Sequence, residues 1–276
     1  MKYPSKKILV NLILIFSTLI ILFPVLYIFL TSLKNFKDIV SGDFFFQPKN
    51  LNYIEIFTGR RSNFLDLTIN SLIVSSCVSV ICGILGSLCA YSLSRLNVQK
   101  FITISILLWL LFIHMIPSIV YVTPFYIWTR EFGIYDTPFA IIIAHVVMFL
   151  PLSIVTMMNY FSEVPKEIEE ASKIDGCGHW QTFSKVVIPL VRPDVVAMCV
   201  LVFVFSWKEF LFAMSLSTTT NGRTIPVGIA NFVQEFNIRY GEMAAGSFFA
   251  MIPALILVIF AQKHIIKGLT VGAVKG

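Results

Sequence analysis

The sequence predicts an all-α polytopic membrane protein with six transmembrane helices, both termini cytoplasmic, and a cytoplasmic helix-turn-helix connection. Three observations carry this expectation. Of the 276 residues, 57% are hydrophobic and only 13% charged, where a soluble domain carries about 25% charged residues. Six apolar runs recur, at Ile8–Leu30, Thr68–Leu93, Ile102–Val122, Phe139–Phe161, Val195–Leu216 and Met243–Ile265. At about 1.5 Å per residue each can cross a hydrocarbon core of about 30 Å. Finally, Lys and Arg concentrate in the connections that an inside N-terminus would leave in the cytoplasm, among them Lys2, Lys6 and Lys7, then Lys166, Lys173, Lys185 and Arg192. The outer connections carry fewer over longer stretches, which is the asymmetry that orients spans.

The first run follows three lysines, as a secretory signal would, but it is long enough to span and has no small-x-small cleavage site. It reads as an uncleaved first span. In the second run, small residues at Ser75, Ser79 and Gly83, and again at Gly86 and Ala90, form a stripe that lets another helix approach closely, so this span is expected in the interior. Pro117, Pro124, Pro151 and Pro253 are expected to break or kink their helices. Cys77, Cys82, Cys89 and Cys199 lie in apolar runs and Cys177 in a polar stretch, so the five cysteines read as packing residues rather than a disulfide framework. The outer connections Lys34–Leu67 and Ser217–Glu242 are long, with a turn-forming tip at Ser217–Thr220 and Asn221–Gly222, while that near Thr123–Pro138 is short.

The inner connection, residues 162–193, has the pattern of two short helices. Pro165 opens the first, Glu163, Glu167, Glu169 and Glu170 suit its N-terminal dipole, and Asp175–Gly176 closes it with a residue tolerant of positive φ. A second amphipathic segment, His179–Leu190, ends near Pro189 and Pro193. On the first helix Val164, Ile168 and Ala171 form one stripe, expected to pack, and Glu163, Glu167 and Glu170 another, expected to meet a partner.

At these residues the sequence resembles a known family. Glu169-Glu170-Ala171-Ser172-Lys173-Ile174-Asp175-Gly176, followed by Ile188-Pro189-Leu190 and Pro193, looks like the EAA loop of ABC importer permeases. Thr31 to Lys34, Asn70-Ser71, Ala90 to Arg95, the Pro117 and Pro124 segment, Gly133 to Thr137, Trp207 to Leu211, Pro226 to Gly228 and the tail Gly268–Gly276 extend the likeness over nearly the whole chain. They narrow it to sugar importers of the maltose and glycerol-phosphate type, and to the second of their two permease subunits. The chain departs from the pattern at Ser172, where a second alanine is usual, and at Lys208, where asparagine is usual.

The resemblance implies one transmembrane domain over residues 1–276, with core spans at 68–265, a coupling loop at 162–193 and a cytoplasmic tail at 266–276. It implies a bacterial or archaeal inner-membrane permease subunit of an ATP-driven, binding-protein-dependent importer for a sugar or oligosaccharide. The chain would have no catalytic site of its own and bind no cofactor, ATP and Mg residing on the partners. Those partners would be a second permease subunit, two cytoplasmic ATPase subunits and an extracytoplasmic solute-binding protein. By position, Glu170 would make the ionic contact with the ATPase, Ala171 would allow close approach and Gly176 would supply the turn; Asp175 and Pro189 belong to the same elbow. The tail would reach toward the ATPase dimer interface.

The fifth run carries adjacent charges, Lys208 and Glu209, at a depth where each costs about 2.5–3.5 kcal/mol to insert. Neighbouring positions on a helix do not face each other. Glu209 is therefore expected to line a polar pathway, with Trp207 beside it as a surface for a sugar ring. His114, His145, His179 and His264 are scattered and form no metal-ligand spacing. No Walker loop or nucleophile elbow is present, and the net charge of +6 comes without a nucleic-acid-binding motif. A permease for a polyol phosphate or amino acid is the nearest alternative. A stand-alone secondary transporter fits less well, since the chain shows no internal repeat.

Overall fold

The computed structural model describes residues 4–59, 63–96, 98–234 and 237–271. Among the described residues the regular structure is helical apart from one short hairpin. It begins with α1 (Pro4–Ser32), α2 (Phe36–Ser41) and α3 (Leu51–Thr58), and continues through α4 (Phe64–Arg95), α5 (Lys100–Met115), α6 (Ser118–Glu131) and α7 (Pro138–Glu163). Next come α8 (Lys166–Ile174), α9 (His179–Leu190), α10 (Arg192–Trp207), α11 (Leu211–Ser215) and α12 (Ile225–Ala230). The strands β1 (Val233–Gln234) and β2 (Asn237–Ile238) precede α13 (Tyr240–Val271). They pair antiparallel, Val233 opposite Ile238 and Gln234 opposite Asn237, a small addition to the all-α expectation. Within α9, Thr182–Val187 form a π-helical turn.

Among the described residues, four helices are long and apolar enough to cross a membrane singly: Ile8–Ser32, Phe64–Arg95, Pro138–Glu163 and Tyr240–Gln262. The other two expected spans differ from a simple rod. The third is broken, α5 and α6 meeting at 92°. Pro117 explains the break, since it has no N–H to donate and holds Ile116 in the extended region, at φ −71° and ψ 127°. Pro124, Pro151 and Pro253, by contrast, sit within continuous helices. The fifth span ends early, at Trp207 rather than Leu216, and α9 meets α10 at 78°.

The chain forms two compact units. The first comprises Met1–Leu65 and Gly228–Ile252. Here the connection after α1 is folded rather than loose. The Asn52 amide donates to the carbonyls of Ser32 and Lys34, at 2.7 and 2.9 Å, and so satisfies acceptors left open where α1 ends. The Tyr53 and Ser32 hydroxyls lie 2.8 Å apart. Phe57, Phe64 and Phe249 meet edge-on, with centroids 5.0–5.8 Å apart.

The second unit comprises Asp66–Val227 and Pro253–Gly276. Its core is α7 packed against α10 and α4, with Val78, Cys82, Ala144, Met157, Phe161 and Val202 fully or almost fully buried. The small stripe of α4 does what its composition predicts. A Cβ placed at Gly83 would lie 2.7 Å from the Cys199 sulfur, and one at Gly86 2.9 Å from Cβ of Ser153. Ser79 Oγ donates to the Cys199 carbonyl at 2.7 Å. The most apolar stretch of α7, at 50% buried, is even more interior than that of α4, at 44%. Its small and polar residues Ala140, Ala144, His145 and Ser153 are all buried.

Candidate functional site

The elbow at residues 162–193 forms as its sequence dictates. Pro165 precedes α8, Asp175 terminates it, and Gly176 follows at φ +85°, a conformation that costs an L-residue about 1–2 kcal/mol. The Gly178 N–H donates to the Gln181 side chain at the start of α9. Ser172 Oγ sits 2.9 Å from Thr182 Oγ1, so the two helices of the elbow are joined by paired hydroxyls. Alanine at position 172 could not make this contact.

The faces of α8 are not those that apolar periodicity suggests. Val164 is buried, but Ile168 and Ala171 are exposed, and the inward side chains of α8 are Glu169 and Ser172. The reason is that their polar partners are inside. Arg95, at the end of α4, places Nε 3.2 Å from Glu169 Oε1, with both side chains almost wholly buried. The Tyr91 hydroxyl donates to Glu169 Oε2 at 3.1 Å. Arg95 Nη2 donates to the carbonyls of Phe161 and Val164 where α7 ends. Tyr91 stands between Phe161 and Phe183, with ring centroids at 5.7 and 4.9 Å.

The outward face of the elbow carries Glu170, Ala171, Asp175 and Pro189, all exposed. Beside them Ile174 is 87% exposed and Trp180 66%.

A second cluster lies where α10 stops. Glu209 falls in the break between α10 and α11 rather than on a helix face. Its carboxylate accepts from the backbone N–H groups of Phe212 and Ala213, at 3.1 and 3.3 Å, which are open donors at the start of α11. His145 of α7, fully buried, brings Nε2 to 2.9 Å from Glu209 Oε2 and Nδ1 to 2.8 Å from Ser206 Oγ. Glu209 therefore has a histidine partner and a capping role. Trp207 is 4% exposed and stacks on Phe203 at 5.7 Å. Lys208 is exposed, its Nζ 4.9 Å from the centre of the Phe205 ring.

A third arrangement fixes the segment 216–225. The Asn70 amide donates to the carbonyls of Thr220, Asn221 and Arg223 at 2.9–3.0 Å, and Ser71 Oγ accepts from the Ile225 N–H at 2.8 Å. Asp136, at φ +62°, accepts from the Thr218 and Thr219 N–H groups and from the Thr219 hydroxyl. Partial burial raises the pKa of this carboxyl, but the hydrogen bonds from Thr219 and Thr218 and the nearby Arg223 charge outweigh it and hold the carboxyl below its ordinary range.

Apolar patterning cannot find Arg95, Tyr91, Glu169 or His145, because each is a polar residue placed inside by another polar residue. The i, i+4 spacing of Tyr91 and Arg95 was the available signal. Among the described residues, no group of three or more His, Cys, Asp or Glu is placed to hold a metal ion. Of the tail, residues 272–276 lie outside the described residues.

Comparison with known proteins places these features in context. The family described as binding-protein-dependent transport system inner membrane component matches residues 82–271. The trehalose transport system permease protein SugB of Mycobacterium tuberculosis is 38% identical, the match covering 92% of this chain and 93% of that protein. The trehalose/maltose transport system permease protein MalG of Thermococcus litoralis is 32% identical over 98% of both chains. Among solved structures, a chain of a bacterial ABC transporter involved in the import of the acidic polysaccharide alginate superposes with a TM-score of 0.78. It is 22% identical over 96% of this chain and 99% of its own, a likeness of fold.

Proposed function

Since this chain belongs to the family of binding-protein-dependent transport system inner membrane components, we propose that it is the second permease subunit of an ATP-driven importer for a sugar or oligosaccharide. The whole chain acts as one transmembrane domain, with six spans when each bent region is taken as one crossing, and with both termini and the elbow in the cytoplasm. A sister permease completes the pathway, two ATPase subunits bind below, and a solute-binding protein delivers the sugar from outside. Hydrolysis belongs to the ATPases; this chain supplies no catalytic group.

The observation that carries the reading is the exposed elbow. Glu170 offers a charge and Ile174 and Trp180 offer apolar area on a helix pair hinged at Gly176. Seated in a cleft on the ATPase, such a pair would move as a rigid body when the nucleotide sandwich closes, converting closure into a change of access. Glu170 would be the ionic contact, and Ala171, small and exposed, would let the partner approach. Asp175, Gly176 and Pro189 would hold the elbow's shape. The sugar assignment is supported by the relatives SugB and MalG, named as permeases of trehalose and trehalose/maltose transport systems. Trp207, buried and stacked on Phe203, and Glu209, capping α11, are the pathway candidates of the fifth span.

The test is uptake by proteoliposomes holding the chain with its sister permease, its ATPase and its binding protein, using labelled trehalose and maltose. Uptake that requires both ATP and the binding protein is expected. Uptake without them, driven by an ion gradient, would overturn the reading. Glu170→Lys should release the ATPase in detergent while the two permease chains stay together.

A further inference from the structure

We propose that Arg95, Tyr91 and Glu169 form an internal strut that carries movement of the elbow into α4 and the end of α7, so that these three positioning residues set how much transport each ATP yields. The inference rests on the reading of the elbow as the ATPase contact.

Successive carboxylates of α8 face different surroundings. Glu170 is exposed, whereas Glu169 is 5% exposed and points to Arg95. The guanidinium joins three elements, since it extends from the last residue of α4, bonds the terminal carbonyls of α7 at Phe161 and Val164, and meets Glu169 of α8 at 3.2 Å. The Phe161 carbonyl also accepts from the Val164 N–H that caps α7, so Arg95 adds a side-chain donor to a helix end already turned back on itself. Glu169 Oε1 has only the charge contact with Arg95 and no aligned hydrogen bond, while Oε2 is held by the Tyr91 hydroxyl. The carboxylate is thus gripped twice, both times from α4.

A buried ion pair is a poor source of net stability, because desolvation offsets much of the attraction. Its distinctive property is directional: a guanidinium held by two carbonyl acceptors and a carboxylate charge resists sliding and rotation in a way that apolar packing does not. Without the ion pair, α8 keeps the Tyr91–Glu169 hydrogen bond and the Ser172–Thr182 hydroxyl pair, each a single polar contact rather than a multiply bonded one. With it, a push on Glu170 is delivered one residue away to the interior helix whose small stripe already packs tightly on α7 and α10.

The experiment compares reconstituted complexes containing Glu169→Gln, Arg95→Gln, Tyr91→Phe and the exchanged pair Arg95→Glu with Glu169→Arg. Solute imported and ATP hydrolysed are measured together on complexes whose ATPase content has been verified. For the Gln variants, import per ATP should fall about tenfold while hydrolysis persists. Tyr91→Phe removes one hydroxyl and should lower the ratio about fivefold, and it provides the test if a Gln variant fails to assemble. The exchanged pair should recover part of the loss. An unchanged ratio in the assembled variants would overturn the strut, as would import and hydrolysis falling in equal proportion. A wild-type complex with no ATP-dependent import would overturn the functional reading itself, and the strut with it.

Discussion

His145 Nε2 lies 2.9 Å from Glu209 Oε2, and through this contact the interior helix α7 holds the point where α10 gives way to α11. Ser206 completes the link at 2.8 Å from the other imidazole nitrogen. An acidic residue in an apolar run thus has a structural explanation independent of any solute. Its carboxylate closes the turn that ends one helix and opens the next.

Glu209→Ala should therefore destabilise the purified complex by about 3 kcal/mol, since it removes a cap and leaves His145 without its partner in the core. Glu209→Gln keeps one acceptor for the Phe212 and Ala213 N–H groups and should cost less. Thermal unfolding of the complex measures both. If Glu209→Ala unfolds like wild type while uptake falls, the carboxylate serves the pathway rather than the fold.

At Gly176 the backbone conformation decides the outcome rather than space. A Cβ there would meet nothing within 4 Å, yet φ is +85°. Gly176→Val should impair uptake far more than Gly176→Asn, because asparagine tolerates the left-handed region and a β-branched residue does not. Uptake and ATP hydrolysis of the two complexes, measured side by side, check this. Equal uptake would show that the turn needs no positive φ.

Close packing of α4 makes the opposite prediction, that space decides. Gly86→Ala would bring its Cβ to 2.9 Å from that of Ser153, against a neighbouring helix. It should cost about 1–3 kcal/mol, the usual range for overpacking. At Gly83 the obstacle is the single Cys199 sulfur at 2.7 Å, so the loss in Gly83→Ala should be eased by Cys199→Ala. Melting temperatures of the single and double variants test the pair. A double variant no more stable than Gly83→Ala would place the clash elsewhere.

Asp136 fixes the segment after α11 only while ionised. Its folded pKa is depressed, so its contribution is present above the ordinary aspartate range of about 4 and is lost as the pH falls through the lower folded value. Asp136→Asn should loosen residues 217–220 at neutral pH, seen as faster amide exchange at Thr218 and Thr219. Unchanged exchange at those two amides would mean that Asn70 and Ser71 suffice to hold the segment.

Local sequence dictates the solvent, the segments and the elbow. Composition requires lipid around this chain, the apolar runs locate the helices, and Pro165, Gly176 and Pro193 bracket two short helices wherever the rest of the chain lies. These are properties of single residues and local spacing, which act over a turn or two of helix. Tertiary structure decided which polar groups are inside. Glu169 and Glu170 are chemically identical neighbours, and only the arrival of Arg95 and Tyr91 from α4 makes one an interior group and leaves the other on the surface. His145 and Glu209 are 64 residues apart in sequence, so no periodicity relates them. Apolar burial repeats along a chain and can be read from it, whereas a buried charge is tolerated only where a distant partner meets it, and that meeting exists only in the folded molecule.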